Sequence, residues 1–221
     1  GGLTAEGYSM VKIGDGTNNT GSIAGTINLS SGSELQFNRP EYTFAGHIHG
    51  QGNVRVVSGK TLKIGADHSD ILPNGVDGTG SMIVDGTIDL NDHDLTLSQL
   101  QGSGVITSNV ASTNHTLTVK SGNFAGTIQD GASGTGVIAL EKTTTGITLY
   151  LTGDNTYSGT TTISGGAVYV GGGTTTGTLG SGAVTNNASL TFNRSDAITV
   201  ANAISGTGTV AVSSYRTVTF T

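Results

Sequence analysis

The chain has 221 residues, of which 37 are glycine, only 11% are charged, and none is cysteine or tryptophan. Such a composition is atypical of an average globular domain, and the 34% of hydrophobic residues exclude a disordered chain. The net charge of −6 argues against nucleic acid as a partner, and the absence of cysteine excludes disulfides and thiolate metal sites.

Apolar residues recur in pairs two positions apart along the chain. Because alternate residues of a strand face one side, each pair predicts a short strand with one buried face. Glycine interrupts every window that has a helical pattern, so no helix is predicted. In chain order the pairs are Leu35 with Phe37, Val54 with Val56, Leu62 with Ile64, Ile88 with Leu90, Leu95 with Leu97, Leu117 with Val119, Ile138 with Leu140, Ile147 with Leu149 and Leu151, Val168 with Val170, Leu190 with Phe192, Ile198 with Val200, Val210 with Val212, and Val218 with Phe220.

Short motifs repeat along the chain. "LQFNR" at 35–39 returns as "LTFNR" at 190–194, and "IHGQGNV" at 48–54 returns as "ISGTGTV" at 204–210. A third copy, "LQGSGVI", begins 52 residues after the first and 104 residues before the last. These spacings predict a repeat of about 52 residues that contains two coils of a solenoid.

Repeated short strands with glycine-rich corners predict a solenoid or a propeller. The uneven spacing of the apolar pairs favours a solenoid, because each of its turns can loop out independently. We therefore predict an all-β fold, a right-handed single-stranded parallel β-helix of about ten rungs with roughly 20 to 25 residues each. Asn155 is predicted to cap the backbone at one corner.

The stretch 147–210 carries a longer motif, "LYLTGDNTYSGTTTISGGAV", followed by "LTFNRSD" and "ISGTGTV". It resembles the passenger-associated transport repeat, also called the autotransporter-associated β-strand repeat. The residues that carry the resemblance are Asn155, Thr156, Tyr157, Gly159, Phe192, Asn193, Arg194 and Asp196. We expect one continuous β-helix over 1–221, as a fragment of a longer chain, with repeat-like units near 33–56 and 122–210.

The resemblance implies a structural β-helical stalk in a secreted or surface-displayed autotransporter passenger. In that family the repeat is linked to export and to folding outside the cell, and to no single activity. The implied location is the cell surface, attached to or released from the bacterial outer membrane, with a C-terminal outer-membrane barrel in the same chain. The implied partners are proteins or glycans of host or neighbouring cells, or a second copy. No enzymatic activity, cofactor or nucleic-acid partner is expected.

His47 and His49 in "HIH" lie on one face of a predicted strand, with Asp67 and His68 further on. Two imidazoles on one face are half of a transition-metal site. Because no third ligand is evident, we favour a pair of exposed, stacked histidines.

Carboxylates cluster in "DHSD" at 67–70 and in "DLNDHDL" at 89–95. Asp92 and Asp94 on one strand would match the roughly 5–9.5 Å between the two carboxylates of a glycosidase. Only 5% of the residues are aromatic, so a sugar-cleaving groove is disfavoured against a solvated loop or a weak Ca²⁺ site.

The pair Arg194 and Asp196 could form an ion pair, or Arg194 could hold a ligand carboxylate. The recurrence of the motif at Phe37–Arg39 favours a structural role. Two other functions remain open. One is a β-helix carbohydrate-active enzyme (polysaccharide lyase or hydrolase) or carbohydrate-binding module, and the other is an ice- or crystal-binding solenoid with Thr-x-Thr pairs.

Overall fold

A computed structural model of the protein describes residues 2–66, 80–110, 113–132, 136–213 and 216–221. These residues form strands and turns but no helix, and so none that could cross a membrane. Every strand pair among them is parallel, and the strands stack into a β-solenoid of about nine turns. The all-β parallel solenoid is confirmed, with a number of turns close to that predicted.

Most turns contribute two or three short strands. In chain order these are β1 (Leu3–Ala5), β2 (Met10–Ile13), β3 (Thr26–Leu29), β4 (Glu34–Phe37), β5 (Glu41–Phe44), β6 (His47–Gly50), β7 (Asn53–Val56), β8 (Thr61–Ile64), β9 (Ser81–Val84), β10 (Thr87–Asp89), β11 (Leu95–Gly102), β12 (Val105–Thr107), β13 (Thr113–Phe124), β14 (Thr127–Ile128), β15 (Gly136–Lys142), β16 (Thr148–Leu151), β17 (Thr161–Ile163), β18 (Ala167–Thr174), β19 (Val184–Asn186), β20 (Ser189–Arg194), β21 (Ile198–Val200), β22 (Ile204–Ser205), β23 (Thr209–Ser213) and β24 (Val218–Phe220). The largest sheet contains 14 strands and runs from β2 to β22, with a branch from β13 through β16, β18 and β20 to β23. Smaller sheets join β1, β3 and β6, then β5, β8, β10, β12 and β14, and finally β21 and β24.

The number of residues in a turn varies along the solenoid. Strand partners in neighbouring turns are 18 residues apart at Ser81 and Gln99, and 28 apart at Val54 and Met82. The predicted rung of roughly 20 to 25 residues is therefore an average, because loops of different lengths leave the corners.

Inward side chains stack in columns that run the length of the solenoid. One column contains Val11, Leu35, Val54, Met82, Leu100, Gly122, Leu149, Val168, Leu190 and Val210. Its members from Leu35 to Leu190, apart from the glycine, are buried, whereas Val210 is 42% exposed because no described turn follows it. Burial of each aliphatic side chain contributes about 1.5 to 3 kcal/mol. Ile147 lies outside β16 and is exposed, so the alternation begins only at Leu149.

The predicted 52-residue unit is wrong. Leu35 and Leu190 occupy the same column, so the "FNR" copies are equivalent positions of the solenoid. Leu100 lies in that column too, whereas Ile204 belongs to another one. The column of Ile204 passes through Val184, Thr161, Leu140 and Leu117 to Leu95. The third copy therefore lies on a different face from the last one, and its spacing does not mark a repeat of the solenoid.

Candidate functional site

The side chain of Asn155 joins three turns at the corner that follows β16. Its Oδ1 accepts a hydrogen bond from the backbone N–H of Ile128 at 2.9 Å, and its Nδ2 donates to the carbonyl oxygens of Thr178 at 2.7 Å and Gly153 at 3.2 Å. Ile128 and Thr178 belong to the turns on either side. These bonds confirm the predicted capping amide. They supply the partners that buried backbone polar groups require.

The neighbours of Asn155 alternate between solvent and core. Thr156 is exposed, and its backbone N–H donates to the carbonyl oxygen of Ile128 at 2.9 Å. Tyr157 is fully buried, with its hydroxyl 2.7 Å from Oγ1 of Thr161. Burial raises the pKa of Tyr157 to about 12. Gly159 has no room for a side chain, because a Cβ there would collide with the carbonyl oxygen of Ile138.

The guanidinium of Arg194 bonds to two separate segments of the chain, at Asp196 and at Gly177. Its Nε and Nη2 donate to the two carboxylate oxygens of Asp196 at 2.8 Å each, and its Nη1 donates to the carbonyl oxygen of Gly177 at 2.9 Å. Oδ1 of Asp154 accepts from the N–H of Gly177 at 2.9 Å and lies 3.8 Å from Nη1 of Arg194. Of the two roles considered for Arg194, the ion pair with Asp196 is the one observed, and the hydrogen bonds from Arg194 lower the pKa of Asp196.

The contacts of Arg194 form a clamp on the loop 171–177, which includes the irregular end of β18. The first and last glycines of this loop have positive φ angles of 88° and 107°. The first copy of "FNR" repeats the arrangement, because Nη1 of Arg39 donates at 2.8 Å to the carbonyl oxygen of the glycine that ends the loop 14–21. The first and last glycines of that loop also have positive φ, 92° and 81°. The sequence reading missed these loops. The sequence feature that could have indicated these loops is a glycine 17 or 18 residues before each arginine.

The eight motif residues form two groups in space. Phe192 is buried in the core, with its ring centroid 5.9 Å from that of Phe220, and the half-buried Asn193 pairs with Ser213 of β23. Asn155 bonds to Thr178, which directly follows the glycine that Arg194 holds. The groups near Asn155 and near Arg194 are therefore linked through neighbouring residues of one turn.

His47 and His49 lie on the same face of β6, as predicted. Their rings are stacked, with centroids 6.2 Å apart and planes 16° apart, and both residues are half-buried rather than exposed. Within the described parts of the chain, no three His, Cys, Asp or Glu residues form a group that could hold a metal. Asp67, His68 and the rest of "DHSD" lie outside the described residues, so the metal site stays a disfavoured prediction.

Asp92 and Asp94 do not share a strand. They lie in the turn between β10 and β11, where Asp92 has a positive φ of 71°. Oδ1 of Asp94 accepts a hydrogen bond from the N–H of Thr116 at 2.6 Å, and Oδ1 of Asp92 lies 3.5 Å from Nε2 of His115. Both partners belong to β13 in the next turn, so these carboxylates connect turns.

Lys142 is a buried residue that the sequence reading missed. Its side chain points inward between Val119 and Ile163, and its Nζ donates to the carbonyl oxygens of Gly165 at 3.0 Å and Thr144 at 2.5 Å. Burial lowers the pKa of Lys142. The alternation of inward residues at Ile138 and Leu140 continues to Lys142, so the sequence could have predicted its inward position.

Comparison of the sequence with those of known proteins identifies a relative. Over 85 residues, or 38% of this chain, the sequence is 44% identical to the adhesin BmaC autotransporter of Brucella suis biovar 1 (strain 1330). The chain fits an autotransporter passenger. The matched stretch spans 2% of that adhesin's length. No family model and no solved structure matches this chain, so the repeat type assigned to 147–210 stays a prediction.

Proposed function

We propose that this chain is a section of the structural β-helical stalk of an autotransporter passenger, displayed at the cell surface and linked to the outer membrane. The observation that carries the proposal is the solenoid, whose strands pair only with the turn before or after them. The similarity to an autotransporter that is named an adhesin supports it. We also propose that 1–221 is one continuous β-helix with repeat-like units near 33–56 and 122–210.

The stalk has no catalytic role in this proposal and aids its own export. Because each turn bonds to its neighbours, a formed turn provides the strand edge on which the next one folds. A chain that emerges with its C-terminal end first then folds turn by turn outside the cell. Folded turns oppose backward sliding without ATP. Asn155 and Arg194 support the coupling between turns that this folding needs, since their side chains bond a turn to the turns beside it.

The second part of the proposal is adhesion. The partners are molecules on host or neighbouring cells, or a second copy of the passenger. A long solenoid suits this role because it carries an outward face away from the membrane on strands that are hydrogen-bonded from turn to turn.

Export is tested in the intact parent protein by scrambling residues 147–210 at constant composition and measuring surface display by protease accessibility of whole cells. We expect display to fall strongly, while the exposed substitution Thr156→Ala leaves it unchanged. Equal display of the scrambled and natural proteins would contradict the folding role. Adhesion is scored separately, as cell binding per displayed molecule.

A further inference from the structure

Between β9 and β23, two outward columns contain no Asp, Glu, Lys or Arg among the described residues. They are Ser81, Gln99, Ser121, Thr148, Ala167, Ser189 and Thr209, and Ile83, Gln101, Asn123, Tyr150, Tyr169, Thr191 and Ala211. The same face is charged in the first turns, where Lys12, Glu34 and Arg55 lie and Nε of Arg55 pairs with Oε1 of Glu34 at 3.1 Å. The two columns thus change from charged residues in the first turns to uncharged residues in the later ones, which offer a charged ligand no ion-pair partner.

Two tyrosines interrupt this neutral polar face. Tyr150 and Tyr169 are strand partners in neighbouring turns, with ring centroids 5.2 Å apart and planes 41° apart. Tyr150 is 40% exposed. Apart from Ile147, which directly precedes β16, the other exposed large hydrophobic residues lie in the first and last described turns, as Tyr8 and Phe220 do. The tyrosine pair lies in the middle of a continuous stack, so a missing neighbouring turn does not explain its exposure.

A polar groove borders the tyrosine pair. Its cavity measures about 660 Å³, and its polar side chains include Asn123, Thr152, Asp154, Thr174 and Thr176. Asn123, which lines the groove, is the strand partner of Tyr150. Thr152, which also lines it, is the next outward residue after Tyr150. The volume lies within the range of small-molecule sites.

The groove is held in shape by the contacts already described. Arg194 and Asp154 both bond to Gly177, which ends the loop that forms one wall. Within that wall the hydroxyls of Thr174 and Thr176 lie 3.1 Å apart. A site that is ordered before binding loses less entropy when its ligand arrives.

We propose that this groove binds a neutral oligosaccharide, with a sugar ring stacked on Tyr150 and Tyr169. One face of a pyranose presents C–H groups, which suit an aromatic ring, and its edge presents hydroxyls, which need donors and acceptors. Asn123 and Thr152 supply both, and Asp154 accepts. The inference rests on the proposed adhesive function and assigns its ligand chemistry. A folded protein partner is disfavoured because the groove is confined to a few turns.

The first turns provide an internal comparison. Arg39 holds the loop 14–21 just as Arg194 holds the loop of the groove. In the first turns, the part of the tyrosine column beside that loop consists of Lys12, Gln36 and Arg55, none of which is aromatic. The clamp is thus common to both copies, and the neutral aromatic surface is specific to the second.

The test is binding of neutral hexasaccharides of glucose, mannose, galactose and N-acetylglucosamine to the whole 221-residue chain, by isothermal titration and saturation-transfer NMR. We expect at least one to bind, and we expect Tyr150→Ala and Tyr169→Ala each to weaken it at least about tenfold. Tyr150→Phe keeps the ring and should stay within about threefold. Tyr8→Ala removes an exposed tyrosine far from the groove and should leave the affinity unchanged.

Absence of binding to all four sugars at millimolar concentration overturns the inference, as does equal affinity of Tyr150→Ala and the natural chain. Adhesion that persists unchanged in Tyr150→Ala on cells stripped of surface glycans points to a protein partner and also overturns it. Surface display of the parent protein is measured independently. Normal display and normal adhesion without sugar binding would therefore refute the proposed oligosaccharide ligand and leave the stalk proposal intact.

Discussion

Single side chains connect neighbouring turns of this solenoid where the backbone leaves its strands. At corners the parallel ladder is interrupted, and backbone groups need other partners. Asn155 supplies three such bonds, and Asp89 supplies others, since its Oδ1 accepts from the N–H groups of Asn91 at 3.1 Å and Asn109 at 3.0 Å. Each amide or carboxylate stabilises a corner that apolar packing alone would leave unsatisfied.

Replacement of Asn155 by alanine should lower the free energy of unfolding by about 2 to 4 kcal/mol, because it leaves the N–H of Ile128 and the carbonyl oxygen of Thr178 buried without their partner. Urea denaturation measures the change. Thr156→Ala is the matched control, and since that side chain is exposed it should cost less than about 0.5 kcal/mol. Equal losses in the two variants would refute the corner role.

The raised pKa of Tyr157 predicts a loss of stability at alkaline pH. Its folded pKa of about 12 lies above the ordinary value of 10.0, so the fold favours the neutral phenol. This contribution is complete below pH 10 and is lost as the pH rises through 12, for a total of about 2 to 3 kcal/mol. Tyr157→Phe should lack this loss. The difference between the unfolding curves of the two proteins from pH 9 to 12 isolates it, and a constant difference would contradict the prediction.

At the scale of elements, the two arginine clamps hold loops that project from a regular stack. Arg39 and Arg194 follow equivalent phenylalanines of one inward column, Phe37 and Phe192. Because the core fixes each phenylalanine, the arginine two residues later lies at the same corner in both copies. A loop anchored at such a corner can vary in sequence without disturbing the columns inside.

The clamps should act locally and reciprocally. Arg194→Ala should speed hydrogen–deuterium exchange at least about tenfold in 171–177 and leave 14–21 unchanged, because it removes the bond to the carbonyl oxygen of Gly177. Arg39→Ala should do the reverse. Exchange followed by mass spectrometry reads both loops in one experiment, so each variant serves as the control for the other. Faster exchange in both loops of either variant would indicate global destabilisation and contradict separate clamps.

At the scale of the whole molecule, the solenoid behaves as a one-dimensional stack. Each inner turn packs on two neighbours, whereas the outermost described turns pack on one. This difference is visible in the exposure of Val210 and Val212, which is 42% each, while Val168 and Val170 in the same columns are buried. Stability should therefore be graded along the axis.

In native-state hydrogen exchange of the 221-residue chain, amides of β23 and β24 should open at lower free energy than those of β13 and β16, because fewer apolar contacts hold them. Leu149→Ala in a middle turn should cost about 2 to 5 kcal/mol, and Val210→Ala in the last turn about 1 kcal/mol or less. Uniform opening energies across all four strands would show that the stack unfolds as one unit.

The sequence by itself determined the features that depend on alternation and short spacing. Pairs such as Leu35 and Phe37 predicted inward-facing strands, glycine excluded helices, and the nearness of Arg194 to Asp196 made their ion pair one of two possible roles. These features follow from neighbours along the chain, which the backbone geometry of a strand or corner brings together without reference to other turns. The corner role of Asn155 belongs with them, although its partners in the adjacent turns were not evident.

Only the tertiary structure decided which turns and faces meet. It separated Leu100 from Ile204, placed the acceptor of Arg194 in the preceding turn, and joined Tyr150 to Tyr169 beside a groove. The physical reason is that register between parallel turns depends on the length of every loop between them, which varies here. A shift of one residue moves each side chain to the opposite face. Alternation shows that a residue faces outward, and only the stack shows what lies beside it.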